Sequence, residues 1–202
     1  MNKKLHQGIL LRTGSPYRKK ILLFDYELGM IECVNTYGHN RLVHGAFLYY
    51  ARTPWHNLYR LHDIELIALP EKWVSDDLLF LHHIIELSTY FLTIQNNAAS
   101  LFNFFMNFYK PCNEKNLELF KKFFICRFFS LLGVYPENSE DYDPLFFRLI
   151  SGPIDSMLDA SRDDVLTHKK VNEWLQGCMR VHPHADHLKT VNFLTKMDRH
   201  EL

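Results

Sequence analysis

Up to Pro70, apolar residues come in short runs separated by turn formers; beyond it they recur at helical spacing. The stretch KKILLFDYELGMIECV, residues 19–34, shows the first pattern: an apolar run, a polar break ending in Gly29, and a second apolar run. It predicts a hairpin of strands at 19–25 and 30–36, with Gly29 taking the positive φ such turns require. Residues 7–13 predict an earlier strand, with Gly14-Ser15-Pro16 as the turn after it. Past a polar loop at 37–44, residues 46–52 and 58–68 predict two more strands, broken by Pro54. A hairpin cannot bury its apolar side alone. Five short strands at this spacing predict a small closed barrel, which removes exposed sheet edges.

Ser75-Asp76-Asp77 can cap a helix running to Leu92, on which Leu78, Leu81, Ile84, Ile85 and Leu87 recur with helical period. Asn96-Asn97 breaks the pattern before a second helix at 98–109. Asn113-Glu114 opens a long one through Leu132, with Phe120, Phe123, Phe124 and Phe128 on one broad face and Gly133 as its C-cap. An acidic loop at 137–143 precedes residues 146–150, read as a short strand or turn. Further helices are predicted at 162–179 and 184–195. The expected fold class is therefore α+β: a five-stranded barrel at residues 1–72 and a helical domain at 73–202.

Composition changes this picture in one respect. The 23 basic and 23 acidic side chains cancel, yet residues 1–72 hold ten Lys/Arg against six Asp/Glu. A basic module is thus attached to an acidic body, and a polyanion responds to the local balance. Cys33, Cys112, Cys126 and Cys178 are scattered, with no Cys-x-x-Cys, and read as reduced core thiols. No apolar stretch approaches the roughly 20 residues of a membrane helix, and MNKKLHQG followed by only three apolar residues is no secretion signal. The expected location is the cytoplasm.

HPHADH places His182, His184, Asp186 and His187 in the His-x-His-x-Asp-His spacing of the metallo-β-lactamase superfamily, where imidazoles and a carboxylate hold two zinc ions and activate water. That reading makes the chain a metal-dependent hydrolase. The context argues against it: in that superfamily the motif follows a strand in the first half of a long domain, whereas only fifteen residues follow His187 here. A polar linker before the last helix is the simpler reading, and no metal or other cofactor is expected. His82-His83 reads as surface or core-edge histidine. The chain has no Gly-rich phosphate loop and no local nucleophile–base spacing, so no enzyme is expected.

A basic five-stranded barrel with strand aromatics is the pattern of an OB-fold, which tracks phosphates in a basic groove and stacks bases on rings. The phosphate candidates are Arg12, Arg18, Lys19, Lys20, Arg41 and Arg52. The ring candidates are Tyr37 and Trp55, with Tyr17, Tyr49, Tyr50 and Tyr59 beside them.

Several blocks, in this order, resemble the bacterial DNA-repair protein family RecO. Residues 6–34, HQGILLRTGSPYRKKILLFDYELGMIECV, are similar to the family's N-terminus. LYRLHDIELI (58–67) looks like its last barrel strand, LELFKKFFICRFFSLLGVYP (117–136) like its central helix ending in Leu-Gly-x-x-Pro, and HLKTVNFL (187–194) like its final segment. The resemblance implies a cytoplasmic, nucleoid-associated recombination mediator of the RecF pathway without bond chemistry. Such a protein pairs an OB-fold with a helical domain, binds single- and double-stranded DNA, anneals strands, works with RecR, recognises the C-terminal tail of single-strand-binding protein (SSB), and helps RecA load. Many members carry a four-cysteine zinc site after Leu-Gly-x-x-Pro; residues 135–154 contain no cysteine, so no zinc is expected. The loop 41–44 stands where the family often has a longer, more basic one. The rival reading is a scaffold of the same fold that has lost DNA binding and keeps protein interaction only.

Overall fold

The computed structural model describes residues 4–14, 20–35, 42–92, 98–110, 117–138, 142, 144–152 and 165–181. The chain divides into two compact units, Met1–Lys110 and Pro111–Leu202.

Five strands form the first unit's barrel: β1 (His6–Thr13), β2 (Lys20–Asp25), β3 (Gly29–Asn35), β4 (Phe47–Trp55) and β5 (Leu58–Ala68). They close in the order β1-β2-β3-β5-β4. All neighbouring pairs are antiparallel except β3 and β5, which run parallel through Cys33↔Tyr59, Val34↔Arg60 and Asn35↔Leu61. Gly29 has φ 75°, so the β2–β3 turn uses the glycine as its pivot. The interior is filled by Leu10, Ile21, Leu23, Ile31, Cys33, Ala46, Leu48, Tyr50 and Leu61. These alternate along their strands with outward residues, as a pleat demands.

Pro54 does not break β4. The strand runs three residues past Arg52, with Pro54 opposite Tyr59 and Trp55 opposite Leu58. Beyond Tyr50, β4 has no pairing with β1, so this end needs a partner on one side only. Such an edge tolerates a proline nitrogen without a hydrogen. The reversal falls instead at His56, which has φ 53°.

From Ile21 to Asp25, β2 is buried on both sides. Ile21 and Leu23 point into the barrel, while Phe24 packs outward on Phe102 and Phe105 at 5.8 and 5.6 Å. Those rings come from α3 (Ala98–Phe105), which continues into a 3₁₀ turn at Met106–Tyr109. α1 (Glu71–Asp76), a short helix the sequence reading missed, precedes α2 (Leu78–Phe91). Asp77 caps α2 by accepting from the Phe80 amide at 2.9 Å. Trp73 of α1 packs on Phe80 and Phe108 at 4.9 and 5.5 Å, and its indole N–H donates to the Phe108 carbonyl. Ile9 and Leu11 of β1 face Leu81, Ile84, Phe105 and Phe108 across a small apolar pocket. Apolar burial therefore ties α1 to α3 to the barrel, and the compact division falls after Lys110, not after residue 72.

In the second unit, α4 (Leu117–Leu132) buries Phe120, Phe123, Phe124, Ile125, Cys126, Phe128 and Phe129, so its apolar surface wraps the helix rather than forming one face. Gly133, at φ 71°, ends it: its amide bonds to Ser130 and that of Val134 to Phe129, the paired bonds of a Schellman cap. Residues 146–150 are helical, contrary to the strand or turn expected. They belong to α5 (Pro144–Ser151), where Pro144 supplies a first-turn φ and loses no needed hydrogen bond. α6 (Val165–Val181) lays Trp174 against Phe146 and Tyr135 at 6.2 and 6.4 Å. Gly177 of α6 lies so close to Pro136 that a Cβ would stand 2.5 Å from the proline Cβ. The expected helix at 184–195 and the HPHADH segment lie outside the described residues. No helix among the described residues is long and apolar enough to cross a membrane.

On α2, His82 is exposed and His83 fully buried. Burial pushes His83 from the ordinary 6.5 down to about 4. In that window an unfolded chain takes up a proton that the buried ring refuses, so stability is complete above the ordinary value and falls with pH towards the folded one. The loss is bounded at about 3 kcal/mol. Urea unfolding across this window should show the wild type losing more stability than His83→Leu; parallel losses would mean His83 is not a source of acid sensitivity.

Candidate nucleic-acid interface

Asp25 ends β2 and is completely buried. Its Oδ1 accepts the amides of Glu27 and Leu28, both at 2.8 Å, which shapes the hairpin turn. Its Oδ2 accepts the Tyr50 hydroxyl and the Arg52 guanidinium. Both partners come from β4, so one carboxylate joins the β2–β3 turn to a strand not adjacent to it. Arg52 reaches on to Glu27 Oε2 at 3.0 Å, and its guanidinium lies over the Tyr59 ring at 5.4 Å. Burial alone would lower the Arg52 pKa, but the bond and charge of Asp25 leave it raised, so the cation is fixed. Burial and then Asp25 raise Tyr50 far above the usual range and push Cys33 up to about 12, which keeps both protonated.

This network decides the place of two sequence candidates. Arg52 is not a free cation: its side chain is 9% exposed and bound by two carboxylates. Tyr50 is core, because its hydroxyl has a buried acceptor. Tyr49 and Tyr59 are half-buried. Arg18, Lys19, Tyr37, Arg41 and Tyr17 lie outside the described residues.

The remaining candidates come together by register. Lys20 pairs with Val34, Val34 with Arg60, and Arg60 with Thr53, giving one row across β2, β3, β5 and β4. Directly opposed residues share a face, and the alternate residues Ile21, Cys33 and Tyr59 belong to the interior side, so this row points outward. Arg12, exposed and opposite Leu22, adjoins it one diagonal step from Lys20. Trp55 lies two residues beyond Thr53 and is 37% exposed. The Arg60 guanidinium sits over its ring at 5.2 Å, and the His56 ring is 5.0 Å away on the turn. Thr53 Oγ1 and His62 Nε2 are 2.9 Å apart on the same side. Glu32, two residues before Val34 on the same face of β3, lies 3.8 Å from Lys20.

Arg60 was missed as a site residue in the sequence. It sits within an apolar-rich strand signal, and only the parallel β3–β5 pairing puts it between Lys20 and Trp55. The arrangement offers cations at strand spacing and one exposed ring, the elements of sequence-tolerant contact with a nucleic-acid backbone and its bases. Cys33, Cys126 and Cys178 are buried free thiols, and no group of three or more metal-ligating side chains occurs among the described residues. No family model matches this chain, and no curated protein matches it.

Removing the Asp25 carboxylate would leave the Tyr50 hydroxyl and one guanidinium edge buried without an acceptor. Asp25→Ala should cost about 3–5 kcal/mol, and Lys20→Ala less than about 0.5 kcal/mol, in urea unfolding at neutral pH. Equal small costs would show that the network does not hold the barrel.

Proposed function

We propose that this chain is a RecO-like recombination mediator whose barrel is an OB-fold that binds DNA. The observation that carries the reading is the outward row Arg12, Lys20, Arg60 and Trp55 on a barrel ordered β1-β2-β3-β5-β4. That order with a parallel β3–β5 pair is consistent with an OB-like barrel, and OB-folds take single strands on strands 2–3 and the flanking loops. Sequence blocks resembling RecO run through β1, β2, β3 and β5 and through α4. On this reading the barrel captures single- and double-stranded DNA by phosphate pairing and ring stacking. The chain promotes annealing and, with RecR, RecA loading on SSB-coated DNA in the cytoplasm. The helical unit holds the SSB tail. No bond is made or broken by the protein.

A second reading has an observation of its own. Arg52 is consumed by Asp25 and Glu27, and Lys20 faces Glu32, so part of the positive charge is answered internally. A barrel with its cations so paired serves as a protein-interaction scaffold without DNA.

Anisotropy of a labelled single-stranded oligonucleotide at low and moderate salt separates the two. The mediator binds, and each phosphate contact contributes about 0.7 to the slope of log K against log salt. Arg12→Ala, Lys20→Ala and Arg60→Ala together should weaken binding and flatten that slope by about 2. Unchanged binding would place the site elsewhere, and no wild-type binding at either salt would favour the scaffold.

A further inference from the structure

At the β2–β3 turn, three nitrogen groups converge on one carboxylate. Glu27 Oε1 is 2.6 Å from Lys4 Nζ, and its Oε2 is 3.0 Å from Arg52 Nη2 and 3.2 Å from His6 Nδ1. The four side chains are not equally held. Arg52 is gripped by Asp25 and lies on Tyr59, and His6 is 10% exposed with its ring 6.1 Å from that of Tyr50. Lys4 and Glu27 are 70% and 39% exposed. The two buried nitrogen groups are therefore built into the barrel end, and Lys4 and Glu27 are its exposed partners. His6 Nδ1 is buried and makes no hydrogen bond among the described residues, although Glu27 Oε2 lies 3.2 Å away. The donor set is thus incompletely used by its present occupant.

Glu27 is not needed for the turn itself. Asp25 supplies the acceptor for the turn amides, and Gly29 supplies the left-handed φ. Lys4 is the first cause of the lowered Glu27 pKa, so this carboxylate stays charged and matches one phosphodiester in charge. An exposed carboxylate–lysine pair contributes little against water, so a polyanion that delivers a phosphate at high local concentration can replace it.

We infer that Lys4, His6 and Arg52 form a phosphate seat, which Glu27 fills in the unbound protein and which a phosphodiester of a bound strand takes over. This extends the DNA-binding reading and rests on it for the identity of the ligand. It returns Arg52 to the phosphate-binding set as a gated member: the same guanidinium keeps one edge on Asp25 and exchanges the partner on the other.

The test uses the full chain, a labelled single-stranded oligonucleotide and, separately, inorganic phosphate. Glu27→Gln should tighten oligonucleotide binding by about three- to tenfold and steepen its salt dependence by about 0.7. Lys4→Ala in the Glu27→Gln background should cancel that gain. Glu65→Gln, which removes an exposed carboxylate from β5 outside this group, controls for charge alone; an equal gain there would overturn the seat. So would unchanged affinity in a folded Glu27→Gln protein whose wild type binds DNA, and Glu27→Ala serves if the glutamine variant fails to fold. If no form binds the oligonucleotide, the DNA reading fails. The seat then stands only if inorganic phosphate raises the melting temperature of Glu27→Gln more than that of wild type, and equal shifts would overturn it.

Discussion

The β2–β3 turn, Tyr50 and Arg52 all depend on the fully buried Asp25 carboxylate. A buried carboxylate is tolerable only when its acceptor sites are filled, and here two turn amides, a tyrosine hydroxyl and a guanidinium fill them. Satisfying one residue thereby fixes the hairpin turn, the position of Tyr50 in the core and the orientation of Arg52. Because β2 and β4 are not neighbours in the sheet, this bond set also crosses the barrel interior. The polar network thereby reinforces the register that the buried apolar face already sets.

The helices decide which outer surface is left for function. Ile9, Leu11 and Phe24 point away from the interior and require a cover, and α2, α3 and the 3₁₀ turn supply it with rings and aliphatic side chains. The outward positions on β3, β5 and the far end of β4 carry Glu32, Arg60, Thr53, His62 and Trp55 instead. One barrel thus has an apolar side that holds its own unit together and a polar, ring-bearing side. The proposed strand-binding face follows from that division of labour.

Local chemistry was legible in the sequence wherever one or two residues dictate a conformation. Gly29 as turn pivot, Asp77 within the expected cap and Gly133 as C-cap are cases of this kind, and β5 occupies the predicted residues. Pro54 misled because its cost depends on whether a second strand lies alongside, which the sequence around it does not record. Residues 146–150 misled because a short apolar run has no period long enough to separate strand from helix. At the candidate interface, exposed Trp55 and Lys20 could be named from composition and position. Arg52 could not be assigned, because its partners Asp25 and Glu27 are 27 and 25 residues away. Arg60 was invisible for the same reason: its neighbours are created by a parallel pairing between strands distant in the chain.

Of the chain's three tryptophans, Trp55 is 37% exposed while Trp73 and Trp174 are 1% and 0% exposed. Intrinsic fluorescence therefore reports on the proposed face with a native probe. Acrylamide should quench Trp55 in the free protein, and saturating single-stranded oligonucleotide should quench its emission further and shield it from acrylamide. Oligonucleotide binding with no change in Trp55 emission or accessibility would contradict the account.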